Sequence, residues 1–157
     1  MQNISLVTFD RSFLEKSRLW LRDPEIKKLI MAPDFTNEEQ ELFFASLPEK
    51  TDYLIFGLIL NAKIPLGVLG LKNIKKDSAE YWGYIGEKQY WGKGIGRQML
   101  ALAEKKALTI GISRLWLKVV EFNNRAIRLY EKNGYCFVKK EDDLLIYEKK
   151  IKKDDEA

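Results

Sequence analysis

Apolar and polar positions alternate with two distinct periods along the chain, and the switches between them mark the elements. Residues 4–9, ISLVTF, have strand character. The stretch FLEKSRLWLRDPEIKKLI has a helical period but is interrupted by Pro24, which cannot sit inside a continuous helix, so two short helices are predicted. Thr36 and Glu39 have capping-box spacing ahead of ELFFASL, which predicts the start of another helix. DYLIFGLIL and IPLGVLGLKNI are apolar, β-prone runs joined by Asn61-Ala62-Lys63, a hairpin signal, and AEYWGYIG (79–86) continues the run as a further strand. RQMLALAEKKALTIG places Met99, Leu100, Leu102, Ala103 and Ala107 on one helical face, with Gly111 as its C-terminal cap. RLWLKVVEF reads as a strand, NRAIRLYEKNG as a helix ending at Gly134, and YCFVKK with LLIYEKK as a closing hairpin. The order β, helices, βββ, α, β, α, ββ predicts a mixed α/β (α+β) sheet in one domain spanning 1–151, followed by a charged tail at 152–157.

Composition narrows the chemistry. At 157 residues and 46% hydrophobic, the chain has enough material for one real core. No run of about 18 apolar residues predicts a membrane span, and MQNISLVTFDRS lacks the pattern of a signal peptide. The single cysteine, Cys136, rules out an internal disulfide and fits a reducing, cytoplasmic setting; it reads as a packing residue. Histidine is absent, which removes Ser-His-Asp and Cys-His catalysis and most transition-metal sites, so no metal is expected and proton transfer must use Glu, Asp, Lys, Tyr or water. The net charge of +4 comes from interleaved charges rather than a basic face. That argues against a nucleic-acid partner such as an RNA-associated basic domain.

Candidate chemistry centres on QYWGKGIGRQML, residues 89–100. Three of the chain's 10 glycines fall between a strand and a helix start. A helix N-terminus presents unpaired N–H groups and a positive dipole end, and bare backbone lets an anion approach them. Lys93 and Arg97 add charge nearby. A tight turn with packing glycines would account for the same residues. The spacing Gly92-x-Gly94-x-Gly96, followed by Arg97 and Gln98, fits neither a P-loop nor a dinucleotide fingerprint.

The segment Trp91-Gly92-Lys93-Gly94-Ile95-Gly96 resembles the acyl-CoA-binding loop of the Gcn5-related N-acetyltransferase superfamily, whose motif is Arg/Gln-x-x-Gly-x-Gly/Ala. Trp91 replaces the usual Arg/Gln, a version found in the branch that acetylates protein N-termini and related amines. The resemblance extends to Trp20–Ile26 (WLRDPEI), to Glu80 with Trp82–Gly86, and to Asn123-x-x-Ala126-x-x-Leu129-Tyr130-x-x-x-Gly134-Tyr135. It implies a central, mostly antiparallel twisted sheet whose fourth and fifth strands splay apart, flanked by about four helices.

It also implies acetyl transfer from acetyl-CoA, as co-substrate, directly to an amine. The backbone of Gly92–Arg97 would bind the pyrophosphate. Tyr84, Ile85 and Gly86 would pair with the pantetheine arm, with an amide such as that of Ile85 polarising the thioester. Asn123 caps a helix and is a further cofactor contact. Tyr130 corresponds to a tyrosine that protonates the leaving sulfur, although without the motif it reads as a buried aromatic on a helix face. Glu80, 14 residues before Gly94, corresponds to a general base in some relatives. An edge-strand glutamate in solvent is the plainer reading, and water chains replace it in others. Glu121 is a weaker candidate. Tyr81 and Trp82 point to opposite faces, so one of them would line the acceptor cleft. The expected acceptor is the primary amine of a small molecule, such as a nucleotide-linked amino sugar, because the longer C-terminal Gly-x-x-Asp segment of the protein-directed relatives is missing. The alternatives are a protein N-terminal amine of the ribosomal-protein type, polyamines, and a non-catalytic CoA-binding relative. A homodimer is compatible with all of these.

Overall fold

A computed structural model describes residues 3–152. Seven strands form one sheet in the order β1-β2-β3-β4-β5-β7-β6. They are β1 (Ile4–Thr8), β2 (Leu54–Leu60), β3 (Ile64–Lys72), β4 (Ser78–Ile85), β5 (Arg114–Val120), β6 (Cys136–Glu141) and β7 (Leu144–Lys150). The helices are α1 (Arg11–Trp20), α2 (Pro24–Ile30), α3 (Asn37–Ser46), α4 (Ile95–Thr109) and α5 (Asn124–Lys132). Among the described residues five α-helices flank the sheet, in line with the helices the sequence pattern predicts. Pro24 divides α1 from α2 as expected: it takes the first position of α2, where its missing N–H costs nothing, and Asp23 caps the same turn.

Strands β1 to β4 form an antiparallel meander, and β5, β7 and β6 are antiparallel to one another. The two groups meet where β4 and β5 run parallel, and there the pairing covers only Ser78–Glu80 against Arg114–Trp116. Beyond Glu80 the two strands part, as the resemblance implies.

Alternation of side chains sends residues to two cores. On one face, Phe13, Leu14, Trp20 and Ile26 from α1 and α2 pack on Val68 and Tyr84. On the other, Met99, Leu100, Ala103 and Ala107 from α4 pack on Leu69, Leu71, Leu115 and Leu117. Fully burying each such leucine stabilises the fold by about 1.5–3 kcal/mol. Ile151 is buried and donates its N–H to the Ser113 carbonyl at 2.9 Å, so packing continues past β7 to Ile151. Of the expected tail, Lys152 is exposed and 153–157 lie outside the described residues.

Helix α3 has no fully buried residue and depends on its start. The capping box is present: Glu39 N–H donates to Thr36 Oγ1 and Thr36 N–H to Glu39 Oε1, both at 3.0 Å. Thr36→Ala is expected to cost about 1 kcal/mol. A lower denaturant midpoint at unchanged slope is the check.

Candidate active site

The splay opens a cleft of about 610 Å³ between the ends of β4 and β5, the start of α4, and helices α2 and α5. It is lined by Tyr84, Ile85, Trp91, Gly92, Gly94, Ile95, Gly96, Arg97, Asn123 and Tyr130, and also by Glu80, Tyr81 and Trp82. The sequence motifs, scattered over about fifty residues, therefore converge on one hollow. Lys93 is exposed just outside the lining, and Gly86 is also outside it.

The glycines divide by role. Gly92 and Gly94 have φ of +75° and +81°, and a Cβ at either would meet nothing within 4 Å. They are needed for a left-handed turn that leaves the backbone open to the cleft. Gly96 differs: a Cβ there would lie 2.8 Å from Leu129, so this glycine seats α4 against α5. Gly94 caps α4 without a side-chain bond, and the first turn holds no acid. By contrast, Asp10, Asp23, Thr36 and Asn123 each cap their own helix with a side-chain oxygen. The first N–H groups of α4 thus lack a side-chain acceptor, and Arg97 adds positive charge where the dipole is already positive. A bound anion would relieve both. This backbone fits a diphosphate, as the motif implies.

The loop is rigidly tied. The Trp91 indole donates to the Ile85 carbonyl at 2.9 Å, and the Trp20 indole donates to Glu87 at 2.6 Å. Lys88 bridges Asp23 and Glu25 of the α2 start at 2.7 and 2.8 Å.

Register decides which β4 amides are available. Gly86 N–H donates to Leu66 at 2.8 Å, opposite it across β3. Alternation then turns the amides of Tyr84 and Trp82 toward β3, and those of Ile85, Gly83 and Tyr81 toward the gap left by β5. Of the three residues expected to meet the pantetheine arm, only Ile85 offers a free-edge N–H. Gly86 also packs closely, since a Cβ there would lie 2.1 Å from the Trp20 ring.

Glu80 is not an edge residue in solvent. β4 is interior, and Glu80 is only 4% exposed. Its Oε1 accepts from Asn73 Nδ2 at 2.8 Å, and its Oε2 lies 3.9 Å from Lys72 Nζ. Asn73 holds this position from a left-handed backbone, φ +50°. Sequence reasoning passed over Lys72 and Asn73. The hairpin register that puts Lys72 opposite Glu80 was the usable signal. Tyr81 is buried against the α4 core and Trp82 on the other face, so the splayed strand gives both to the cleft lining. Lys118 and Phe122 line the cleft too, and no sequence motif marked them.

Tyr130 is half-buried on α5, its ring 6.1 Å from that of Tyr135. Burial pushes its phenol up to about 12. Asn123 Oδ1 accepts from Ala126 N–H at 3.3 Å, so it does cap α5 while lining the cleft. Glu121 pairs on the surface with Lys140 at 2.7 Å, away from the cleft lining, and Cys136 is exposed. Among the described residues there is no group of three or more His, Cys, Asp and Glu able to hold a metal, and no helix is long and apolar enough to cross a membrane.

Residues 19–135 match the Acetyltransferase (GNAT) family. The chain belongs to that family. A relative in sequence is an uncharacterized protein of Methanocaldococcus jannaschii, 30% identical over 129 residues, covering 81% of this chain and 27% of that protein. The chain thus spans about a quarter of that relative's length. The GNAT fold is seen again in two solved structures. The spermidine N-acetyltransferase of Vibrio cholerae, in complex with CoA and spermine, has a TM-score of 0.82 at 18% identity, covering 92% of each chain. The Campylobacter jejuni N-acetyltransferase PseH, in complex with acetyl coenzyme A, has a TM-score of 0.72 at 20% identity, covering 94% of this chain and 99% of that one.

Proposed function

We propose that this GNAT member transfers the acetyl group of acetyl-CoA directly to the primary amine of a small molecule, a nucleotide-linked amino sugar being one candidate. The observation that carries the reading is the α4 start: an uncapped helix N-terminus behind two left-handed glycines, opening into the gap between β4 and β5.

Each residue then has a task. The amides from Gly92 to Arg97 hold the diphosphate by hydrogen bonds reinforced by the dipole. The Ile85 N–H, turned toward the gap, stabilises negative charge growing on the thioester oxygen. Glu80 takes the proton of the attacking ammonium, directly or through a water, as the C–N bond forms. Tyr130 gives its proton to the sulfur as the C–S bond breaks. The acetylated nitrogen then gives its second proton to the Tyr130 phenolate and Glu80 releases the first to solvent, so one proton is freed per turnover and no covalent enzyme intermediate forms.

Calorimetry with acetyl-CoA, coupled to a thiol-release assay across amino sugars, polyamines and N-terminal peptides, tests the whole reading. Absence of cofactor binding would end it, and binding without turnover on any amine would indicate a non-catalytic relative. Glu80→Gln isolates the base. It keeps the shape and one acceptor oxygen for Asn73 but removes the proton acceptor, so kcat should fall by about 10²-fold or more. An unchanged kcat would hand the proton to a water chain.

A further inference from the structure

The charges around the acceptor side of the cleft are unevenly satisfied. Beyond β5 the cleft adjoins a groove of about 460 Å³ floored by Trp116, and Lys118 lines both hollows. Every acid lining either hollow is already held by a cation. Glu25 is bridged by Lys88 at 2.8 Å, Glu80 lies 3.9 Å from Lys72, Glu141 is 3.1 Å from Lys139, and Glu148 is 2.9 Å from Arg114. Lys118 and Lys75 have no acidic partner among the described residues. Lys118 is exposed, its ammonium 5.8 Å from the centre of the Trp116 ring.

A polycationic acceptor would find no free carboxylate here and would meet two uncompensated ammonium groups. An acceptor with an anion at one end would find the reverse. We infer that the acceptor is a primary amine carrying an anionic group, with the amine directed at Glu80 and the anion held by Lys118 and Lys75 above Trp116. The geometry is favourable, because Lys118 sits where the two hollows meet, and the aromatic floor gives the connecting part of the molecule a flat apolar surface. Ion pairs at such a half-exposed site act chiefly on selectivity between acceptors. This inference rests on the acetyl-transfer reading and narrows its acceptor.

The test compares three probes under saturating acetyl-CoA, which keeps phosphate away from the α4 loop: glucosamine, glucosamine 6-phosphate and spermidine. The phosphorylated sugar should have the highest kcat/KM, at least about tenfold above glucosamine, from charge-assisted hydrogen bonds to its phosphate. Lys118→Glu should collapse that ratio toward one or below, and Lys75→Glu should lower it. Lys63→Glu, the same charge change on the exposed β2–β3 turn, should leave it in place. Equal rates for the two sugars, or spermidine as the best acceptor, would overturn the inference while leaving acetyl transfer standing. If none of the three is acetylated, calorimetric binding of the two sugars to the CoA-saturated protein still decides: tighter binding of the phosphate, lost in Lys118→Glu, upholds the subsite, and equal binding removes it. Failure to bind acetyl-CoA at all would instead strike the acetyl-transfer reading.

Discussion

Gly94→Glu should weaken acetyl-CoA binding by at least about a hundredfold while the protein stays folded. Two effects combine at this position and can be separated. The backbone at Gly94 is left-handed, φ +81°, which costs any residue with a Cβ about 1–2 kcal/mol. Gly94→Ala carries that strain alone. The glutamate adds a carboxylate at the first turn of α4, within reach of the proposed diphosphate position. Like charges about 4 Å apart at a partly exposed site repel by about 4 kcal/mol, more than the roughly 2.7 kcal/mol a hundredfold loss requires. The side chain has room to sit there, since nothing lies within 4 Å of the Cβ position, so a misfolded protein is not the expected cause. Titration calorimetry beside a thermal melt reads both. Equal affinities for the alanine and glutamate variants would refute the loop assignment.

Tyr130→Phe should lower kcat by about 10²-fold or more and leave acetyl-CoA affinity within about twofold. The phenylalanine keeps the ring against Tyr135, so packing changes little. The pH behaviour sharpens the test. An acid must be protonated to act, and burial raises the Tyr130 phenol to about 12. The active form is therefore fully present through neutral and mildly alkaline pH and is lost only as pH climbs toward 12. Any alkaline fall in kcat at lower pH should persist unchanged in the variant's residual activity. Such a high value also makes the phenol a weaker acid than a free tyrosine near ~10. Full activity in Tyr130→Phe would remove the role.

The parts of the fold that were legible in sequence rest on local chemistry. Pro24 divides α1 from α2, Thr36 and Glu39 start α3, and Gly111 and Gly134 follow the ends of α4 and α5. Behind each of those glycines, two backbone bonds return to the last turn, Ile112 to Ala107 and Gly111 to Leu108 for α4, Tyr135 to Tyr130 and Gly134 to Glu131 for α5. The glycine loop was legible for the same reason. What sequence hid depends on partners distant in the chain. Glu80 is buried because β4 is interior, and Asn73 and Lys72 reach it only through hairpin register. Gly86 also lies under Trp20, a packing partner 66 residues earlier that no local pattern marks. Lys118 carries no motif; its place follows from where β5 leaves β4.

The short β4–β5 pairing has a mechanical consequence. A four-stranded and a three-stranded plate are stitched by main-chain bonds over just three residues a side, Ser78–Glu80 and Arg114–Trp116. What rivets them is α4, whose Met99, Leu100 and Ala103 share one apolar cluster with Leu69 and Leu71 of one plate and Leu115 and Leu117 of the other. A cut into that rivet, such as Leu100→Ala, loosens the sheet itself, and amide exchange at the seam would register it first.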